Sequence, residues 1–365
     1  MLIKKSRIPI KEIITIGLLP SFLKIFLYKL KGAKIGKNVS ISFGSVIVAQ
    51  KIEIGDYTSI GFGTIIRGRE VKIGKHVKIG SAVFFDVEKI FIDDDAKINE
   101  LVFAGGPMLP ESYLKLGKRT IVMQMSFLNP TKSLIIGDDT GIGGHCLLFT
   151  HGSWQSQLDG YPVGFAPVTL GKNVWLPWRI FVMPGVTIGD GATIGADSLV
   201  NKDVPEGCLA VGVPAKVIKT PADGYPKKLP LEKQGSMVRS MLEECIGFLR
   251  YSGIVVKGKL NDMGGELRFI KTLQRLFWKH RTEWHLYYRL NKTIIWSDLK
   301  SSANQLFLSL TSINEDERKS IEKGKAMWID LSNKCRGGIS NDLGEEMVLF
   351  LSRYGLRFSR ETSVE

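Results

Sequence analysis

The stretch GVTIGDGATIGADSLV, residues 185–200, contains an Ile-Gly pair twice, and the two pairs lie six residues apart. Neither the 3.6-residue period of a helix nor the two-residue period of a strand produces this spacing. Extended backwards, the same register places an aliphatic residue at every sixth position: Leu170, Leu176, Val182, Ile188, Ile194 and Val200. Repetition this regular predicts a repeat architecture, and it outweighs local propensity.

The same hexads occur earlier in the chain, grouped in threes. The triplets begin at Ile35, Ile54, Ile73, Ile92, Leu116, Ile136, Leu170 and Ile188. Three hexads per turn predict a triangular solenoid of about eight coils, stabilised by aliphatic side chains that stack from coil to coil. Parallel backbone hydrogen bonds would join the coils at about 4.8 Å, and the glycine after each aliphatic residue would relieve crowding and permit unusual dihedral angles. A β-sandwich is disfavoured because it needs a period of two.

Composition restricts the partners and the compartment. The chain has 365 residues and a formal net charge of +14, which favours an anionic partner such as nucleic acid, an acidic membrane surface or a phosphate-bearing ligand. Its basic residues form no run typical of a nucleic-acid tail, so we expect no nucleic-acid partner. The four cysteines form no CxxC pair, and we therefore expect no metal site, no disulfide framework and a cytoplasmic protein without a cleavable signal peptide.

The N-terminal residues 1–32 predict an amphipathic helical segment. Its apolar part, IITIGLLPSFLKIFL at residues 13–27, is too short to span a bilayer and contains Pro20 and Lys24. Because lysines surround it, one interpretation is a helix that lies flat on an anionic membrane surface, at the inner face of the membrane. The interpretation that we favour is a helix that packs on the next domain and caps it.

The C-terminal end of the repeat region contains a recognisable set of motifs. In VTLGKNVWLPWRIFVMPGVTIGDGATIGADSLVNKDVPEGCLAVGVPAKVIK, residues 168–219, a Val-Trp-Leu coil is followed by a Pro-Gly-Val-Thr-Ile-Gly coil, a Lys-Asp-Val-Pro exit and a Gly-x-Pro-Ala-Lys stretch. With these motifs, residues 30–220 resemble the hexapeptide-repeat acyltransferases, and most of all the sugar O- and N-acetyltransferases that use acetyl-CoA. The resemblance implies a left-handed parallel β-helix, a homotrimer and acetyl-CoA as the acyl donor. Two departures, Trp178 after Pro177 and Val213 in GVPA, lie where the resemblance places the cofactor groove.

The repeat register breaks after Leu148, where LLFTHGSWQSQLDGYPVGFAP leaves the solenoid. His151 stands at the root of this loop, and in the resembling enzymes a histidine in that position is the catalytic base. Imidazole suits this role because its ordinary pKa lies near neutrality. The alternative is a loop histidine that bonds only to backbone. His145, six residues earlier, occupies a coil corner like that of His76, and we expect it to be structural.

Asn129, in SFLNPTKSLIIGDD, is the second catalytic candidate. By resemblance it contacts the acceptor sugar or orients groups near the histidine; equally, it is a corner asparagine held by its own turn before Pro130. The group that orients His151 stays open among Asp138, Asp139, Asp159 and a backbone carbonyl. The resemblance assigns six residues to cofactor binding: Gly185, Ala196, Ser198, Lys202, Lys216 and Trp178.

The hexads stop after Lys219. We therefore expect a β-helix domain at 33–219, a proline-rich linker at 220–232 and a small α/β accessory domain at 233–365, with helices at 234–253 and 263–280. This aromatic, basic domain would either bind a polysaccharide or lipid-linked acceptor or serve as a packing or oligomerisation domain. The resemblance implies acetyl transfer to a sugar hydroxyl of a surface polysaccharide or glycolipid. The alternatives are N-acetylation of an amino sugar and a non-catalytic solenoid scaffold.

Overall fold

The structure is a computed structural model of the chain, and it describes residues 8–152, 155–275, 278–291, 296 and 302–361, without the side chains of 273–275, 278 and 279. By its internal contacts the chain divides into two compact units, residues 1–227 and 228–365. We describe each unit by itself.

Unit 1 begins with a short helical segment. It consists of α1 (Ile10–Glu12), a π-helical turn (Ile13–Gly17) and α2 (Ser21–Leu30). Among the residues described, no single helix has the length and apolar content needed to cross a membrane. The pair formed by Ile10–Gly17 and Ser21–Leu30, bent by 116°, meets the length and composition criteria only when its two helices are combined.

The repeats form three parallel sheets, which are the three faces of a prism. Face A contains β1 (Lys34–Ile35), β4 (Lys51–Ile54), β7 (Glu70–Ile73), β10 (Lys89–Ile92), β13 (Tyr113–Leu116), β16 (Ser133–Ile136), β21 (Val168–Leu170) and β24 (Thr187–Ile188). Face B contains β2 (Ser40–Ile41), β5 (Ser59–Ile60), β8 (Lys78–Ile79), β11 (Lys97–Ile98), β14 (Ile121–Val122), β17 (Gly141–Ile142), β22 (Trp175–Leu176), β25 (Thr193–Ile194), β27 (Leu209–Gly212) and the antiparallel β28 (Ala215–Lys219). Face C contains β3 (Val46–Val48), β6 (Ile65–Arg67), β9 (Phe84–Asp86), β12 (Phe103–Gly105), β15 (Phe127–Asn129), β18 (Leu147–Phe149), β23 (Phe181–Val182) and β26 (Leu199–Val200).

The strand register stacks the predicted aliphatic residues directly on one another. On face A, Ile35 pairs with Ile54, and Ile54 pairs with Ile73. These side chains are buried in one continuous core that runs the length of the prism. Because a single coil cannot bury its own inner face, this stacking is the main source of stability. The fold class expected from the sequence, a parallel β-helix of about eight coils with an N-terminal helix and a C-terminal α/β part, is confirmed.

The glycine that follows the aliphatic residue fills one of its two expected roles: it relieves crowding, but it does not adopt an unusual dihedral angle. A Cβ on Gly55 would lie 2.6 Å from the carbonyl carbon of Gly74, and one on Gly61 would lie 2.5 Å from that of Gly80. Neither Gly55 nor Gly61 has a positive φ, so glycine is required by the close approach of the next coil. The positive φ falls two residues later, at Tyr57 (59°) after Gly55 and at Gly63 (64°) after Gly61.

Unit 2 is built on one mixed seven-stranded sheet. Its strands, in spatial order, are β29 (Val255–Lys257), β30 (Gly264–Arg275), β31 (Trp278–Arg289), β32 (Gln305–Ser309), β33 (Met327–Asp330), β34 (Cys335–Gly338) and β35 (Ser359–Arg360). Its helices are α3 (Leu231–Tyr251), α4 (Glu315–Lys323) and α5 (Asp342–Ser352). Residues of α3 and α5 share one buried cluster with the sheet, and Ile321 of α4 belongs to a second.

The helix expected at 263–280 is wrong. The structure has an antiparallel hairpin there, in which β30 pairs with β31 along twelve residues of each strand. The period-two burial explains the difference: Leu267 and Phe269 are buried, and across the hairpin so are Trp284, Leu286 and Tyr288. Such alternation is typical of a strand with one face in the core.

Candidate active site

His151 lies where the chain leaves the prism between face C and face A. It begins the two-residue strand β19 (His151–Gly152), which pairs antiparallel with β20 (Gly164–Phe165) at the returning end of the loop. The backbone N–H of Ala166 then donates to the carbonyl of Thr150 at 3.0 Å. Both ends of the loop are therefore fixed to the scaffold at the residue next to the imidazole. We call this edge, between faces C and A, the His151 corner.

The Nδ1 atom of His151 has two polar neighbours, and together they define its protonation. Asn129 Oδ1 lies 2.8 Å away and Thr131 Oγ1 lies 3.2 Å away. The Thr131 hydroxyl donates its proton to Asn129 Oδ1 at 2.8 Å, so both oxygens can only accept from the ring. Nδ1 therefore carries the proton of the neutral imidazole, and Nε2 keeps the lone pair that a general base needs.

Asn129 is itself held rigidly at the end of β15. Its carbonyl accepts the Thr150 hydroxyl at 2.7 Å, and the same hydroxyl accepts the N–H of Lys132 at 2.9 Å. Asn129 and Thr150 are both buried. The structure thus brings the Asn129 side chain against the His151 ring, which is the geometry that an orienting role requires. Among Asp138, Asp139 and Asp159, the first two make other contacts, with the Lys118 N–H and Arg119, and the third lies in an exposed turn.

Two members of this arrangement were not found from the sequence. Thr131 follows Asn129 by two residues and looked like part of a turn. Gly106 lies behind the pair: a Cβ there would be 2.6 Å from Thr131 Oγ1 and 2.8 Å from Asn129 Oδ1. One feature of the sequence pointed to this arrangement: the step between the triplets at Ile92 and Leu116 is longer than the steps before it. The extra residues lie at the His151 corner, one coil before Asn129.

Two phenyl rings enclose the imidazole. Phe149 and Phe165 have ring centroids 6.2 and 5.8 Å from that of His151, with interplanar angles of 26° and 20°. Phe149 comes from β18 and Phe165 from the returning strand of the loop, so the loop itself supplies one wall. The stacking restrains rotation of the ring and keeps Nδ1 directed at Asn129.

Four of the six proposed cofactor residues lie at the two edges of face C. Gly185 lies one coil beyond His151, with φ +85° and its N–H on the Pro167 carbonyl at 3.1 Å, and Lys202 follows on the next coil of the same corner. Trp178 and Ala196 lie at the opposite edge, between faces B and C, which we call the Trp178 corner; Lys216 is exposed on β28.

Ser198 does not reach a ligand-accessible surface. Its side chain is buried just past the Trp178 corner, and its hydroxyl accepts the N–H of Gly212 at 2.9 Å. The position is thus explained by its role in the fold. Trp178 is different, because its ring is about half exposed and packs over Gly144, where a Cβ would lie 2.1 Å from a ring carbon.

His145 and Cys146 stand at the Trp178 corner. His145 has φ 57°, as expected for a corner residue, and its ring centroid lies 6.0 Å from that of Trp178. Cys146 is buried with its Sγ 3.0 Å from the Pro177 carbonyl, and burial raises the pKa of its thiol to about 11. The low thiolate fraction makes Cys146 a poor nucleophile.

The outer surface of face C is apolar along most of its length. The outward-pointing residues that occupy one register column are Ile65, Phe84, Phe103, Phe127, Leu147, Phe181 and Leu199. Phe84, Phe103, Phe127, Phe149 and Phe181 form a chain of ring contacts at 4.9–5.5 Å that ends beside the imidazole. Face A, by contrast, carries charged residues outward, as in the Lys51–Glu70 pair at 2.7 Å.

The tryptophans of unit 2 belong to its core. Trp284, Trp296 and Trp328 are buried, and the guanidinium groups of Arg289 and Arg318 stack on the last two at 4.4 and 4.5 Å. The fourth, Trp278, lies among the side chains that the structure does not describe. The three described tryptophans therefore pack inside unit 2.

Comparisons with known proteins find acetyltransferases among the proteins that this chain resembles. The chain is 51% identical over 53 residues to the galactoside O-acetyltransferase of Escherichia coli (strain K12), covering 14% of this chain and 26% of the relative. It is 40% identical over 84 residues, 23% of this chain and 39% of the relative, to a protein of Staphylococcus aureus (strain Mu50 / ATCC 700699) that is provisionally named an acetyltransferase. The resemblance to acetyltransferases is thereby confirmed over the matched segments.

These matches are partial. The chain spans about a quarter to two fifths of the length of these two curated relatives. Among solved structures, a hexapeptide-repeat acetyltransferase from Vibrio cholerae O1 biovar eltor, crystallised with acetyl coenzyme A, is similar with a TM-score of 0.27 and 19% identity, covering 57% of this chain and 83% of that chain. No protein-family model matches the chain.

Proposed function

We propose that the protein is an acetyl-CoA-dependent acetyltransferase that transfers the acetyl group to a sugar hydroxyl. The observation that carries the proposal is the bond between His151 Nδ1 and Asn129 Oδ1, which leaves Nε2 as the basic atom at the root of the loop. The confirmed resemblance to acetyltransferases supports the acyl donor, and the name of the Escherichia coli relative supports a sugar acceptor.

In the proposed reaction, Nε2 of His151 removes the hydroxyl proton of the acceptor as its oxygen attacks the thioester carbonyl carbon. The carbon–sulfur bond then breaks, and the imidazolium returns its proton to the departing thiolate, so that the products are an acetyl ester and free CoA. Asn129 Oδ1 stabilises the transient imidazolium through the Nδ1–H. Transfer is direct, because the buried Cys146 thiol is protonated at neutral pH and does not form an acyl-enzyme.

We propose further that the working unit is a homotrimer with the cofactor bound between copies. Gly185 and Lys202 share the His151 corner, whereas Trp178 and Ala196 lie at the opposite edge of face C and Lys216 lies on β28, the end strand of the face B sheet. A groove between neighbouring copies would let one copy's His151 corner face another copy's Trp178 corner. The apolar outer surface of face C supports this assembly, since burying it in an interface removes it from water. We place the enzyme in the cytoplasm, where acetyl-CoA is made and where its four free cysteines stay reduced.

The test is acetyl transfer by the purified full-length chain. Acetyl-CoA with a radiolabelled acetyl group is incubated with a panel of mono- and oligosaccharides, and both label transfer and free thiol are measured. We expect equal amounts of labelled sugar and free CoA. Treatment with hydroxylamine distinguishes the products, because it releases an O-acetyl ester and leaves the amide of an N-acetylated amino sugar intact.

The outcome that contradicts the proposal is equally direct. If the chain binds no acetyl-CoA by calorimetry and transfers no label to any acceptor, the scaffold alternative replaces the enzyme. A mass below that of three chains by light scattering would remove the trimer without removing the activity.

A further inference from the structure

The N-terminal helical segment exposes an unusual number of large apolar side chains. Eight of them lie on the bent pair and the residues next to it: Ile8, Ile10, Ile14, Leu18, Phe22, Leu23, Phe26 and Leu30. The exposed fraction is 70% for Phe22, 58% for Phe26 and 68% for Leu30, which follow one another at four-residue intervals along one side of α2. We call these eight residues the apolar face. A contiguous exposed surface of this kind marks an interaction site.

The helix α2 is attached to the prism by its polar side. Lys24 is completely buried, and its Nζ donates to the carbonyls of Ser42 at 2.6 Å and Ser45 at 3.1 Å. Burial lowers the pKa of this lysine below its usual value. Further along the same side, the Tyr28 hydroxyl accepts the N–H of Ile47 at 2.8 Å.

These bonds fix which way the helix faces. Rotating α2 to bury its phenylalanines would break these three hydrogen bonds and bring the Lys24 ammonium group away from the carbonyls of Ser42 and Ser45. In α2, Lys24 therefore faces the prism while Phe22 and Phe26 face outward. An ordinary surface helix has the opposite arrangement, with its charged side toward water. The fold therefore holds the apolar face outward, and the buried ammonium group of Lys24 fixes that orientation.

Basic residues surround this surface. Lys11, Lys29 and Lys31 are exposed on the same segment, and Glu12 is its one acidic residue between Ile8 and Lys31. Two copies of such a surface would bring like charges together if they packed on each other, which opposes self-association. An anionic lipid surface satisfies both features at once, because its acyl region accepts the apolar side chains and its headgroups accept the lysines.

We propose that the apolar face inserts into an anionic lipid bilayer surface and docks the protein there as a peripheral membrane protein. The bend of 116° between the two helices suits a segment that lies in the interfacial plane. Phe22, Phe26 and Leu30 enter the acyl boundary, while Lys11, Lys29 and Lys31 contact the phosphate headgroups. This docking is independent of the chemistry at His151.

The experiment is flotation of the full-length chain with two kinds of vesicle. One is phosphatidylcholine alone, and the other contains about one third phosphatidylglycerol, which gives the vesicle a negative surface potential. We expect the protein to float with the anionic vesicles, and to float less as salt rises. Phe22→Ser/Phe26→Ser lowers the bound fraction more than tenfold. Lys11→Gln/Lys29→Gln/Lys31→Gln lowers binding to anionic vesicles by about fivefold per charge and removes most of the salt dependence.

The matched control is Ile339→Ser/Leu349→Ser. These two aliphatic residues belong to unit 2 and are exposed to a similar degree, 53% and 57%. This variant keeps full vesicle binding. Circular dichroism and acetyl transfer to a soluble acceptor verify that all three variants remain folded.

Three results would overturn the proposal. The first is a wild-type protein that does not float with anionic vesicles. The second is equal loss of binding in the Ile339/Leu349 control. The third is a wild-type oligomer that dissociates in Phe22→Ser/Phe26→Ser without vesicles, which would make the apolar face a contact between copies.

Discussion

The two corners that border face C carry histidines six residues apart, and they differ in every property that matters for catalysis. At the His151 corner, Asn129 and Thr131 fix the proton on Nδ1, and two phenyl rings restrain the imidazole. At the Trp178 corner, His145 lies in a left-handed turn beside an indole, and its ring forms no hydrogen bond with the residues that the structure describes. A candidate base is therefore recognised by what holds its ring, and its residue type alone decides nothing.

The sharpest way to break this comparison is to remove each ring in turn. His151→Ala should lower kcat by about 10²–10⁴, because the acceptor loses its general base. His145→Ala should stay within about threefold of wild type. Steady-state kinetics with acetyl-CoA and the best acceptor measure both. If the two variants lose activity equally, the distinction between the corners is wrong.

The second effect concerns the residue that positions the ring. Asn129→Ala should lower kcat about 10- to 100-fold, the rate equivalent of losing one hydrogen bond to a charged group. Asn129→Asp should move the acidic limb of the pH–rate profile to higher pH, because a carboxylate stabilises the imidazolium more than an amide does. A merely structural Asn129 would change the melting temperature and leave the profile in place.

A third and smaller effect is expected at the glycine behind the pair. Gly106→Ala should lower kcat about tenfold, because the new methyl group would displace Asn129 Oδ1 by a fraction of an ångström. Gly247→Ala in α3 is the matched control: nothing lies within 4 Å of its Cβ position, and activity should not change. Wild-type kinetics in Gly106→Ala would show that the pair tolerates movement.

The smallest effect is expected at the Trp178 corner. At pH 8, a thiol with a pKa of about 11 is ionised in about one molecule in a thousand, so Cys146 in the native protein should react with iodoacetamide far more slowly than after unfolding. Burial also raises the pKa of the Cys245 and Cys335 thiols, to about 12, so both should react slowly in the native protein as well. Peptide mapping by mass spectrometry measures all three. Rapid labelling of native Cys146 would show that its thiol is reactive and would contradict the argument for direct transfer.

Prediction from sequence succeeded where one residue type answers one local requirement. The aliphatic hexads determined the three faces, because only stacked coils bury side chains at that period. It failed at residues 263–280, where the alternation of Leu267 and Phe269 with polar residues was read as helical. At the site, the sequence proposed His151 and Asn129, which the structure brings together, and missed Thr131 and Gly106, which lie against them.

The sequence by itself determined the coil period, the core and the loop that leaves it at His151, because each of these follows from short-range spacing along the chain. Only the tertiary structure decided that Asn129, Thr131 and Gly106 meet the imidazole and that the proposed cofactor residues separate onto two edges. It also decided that Lys24 faces inward while Phe22 faces out. These facts depend on which coils stack on which, and contacts between residues about twenty positions apart are set by the register of the whole prism.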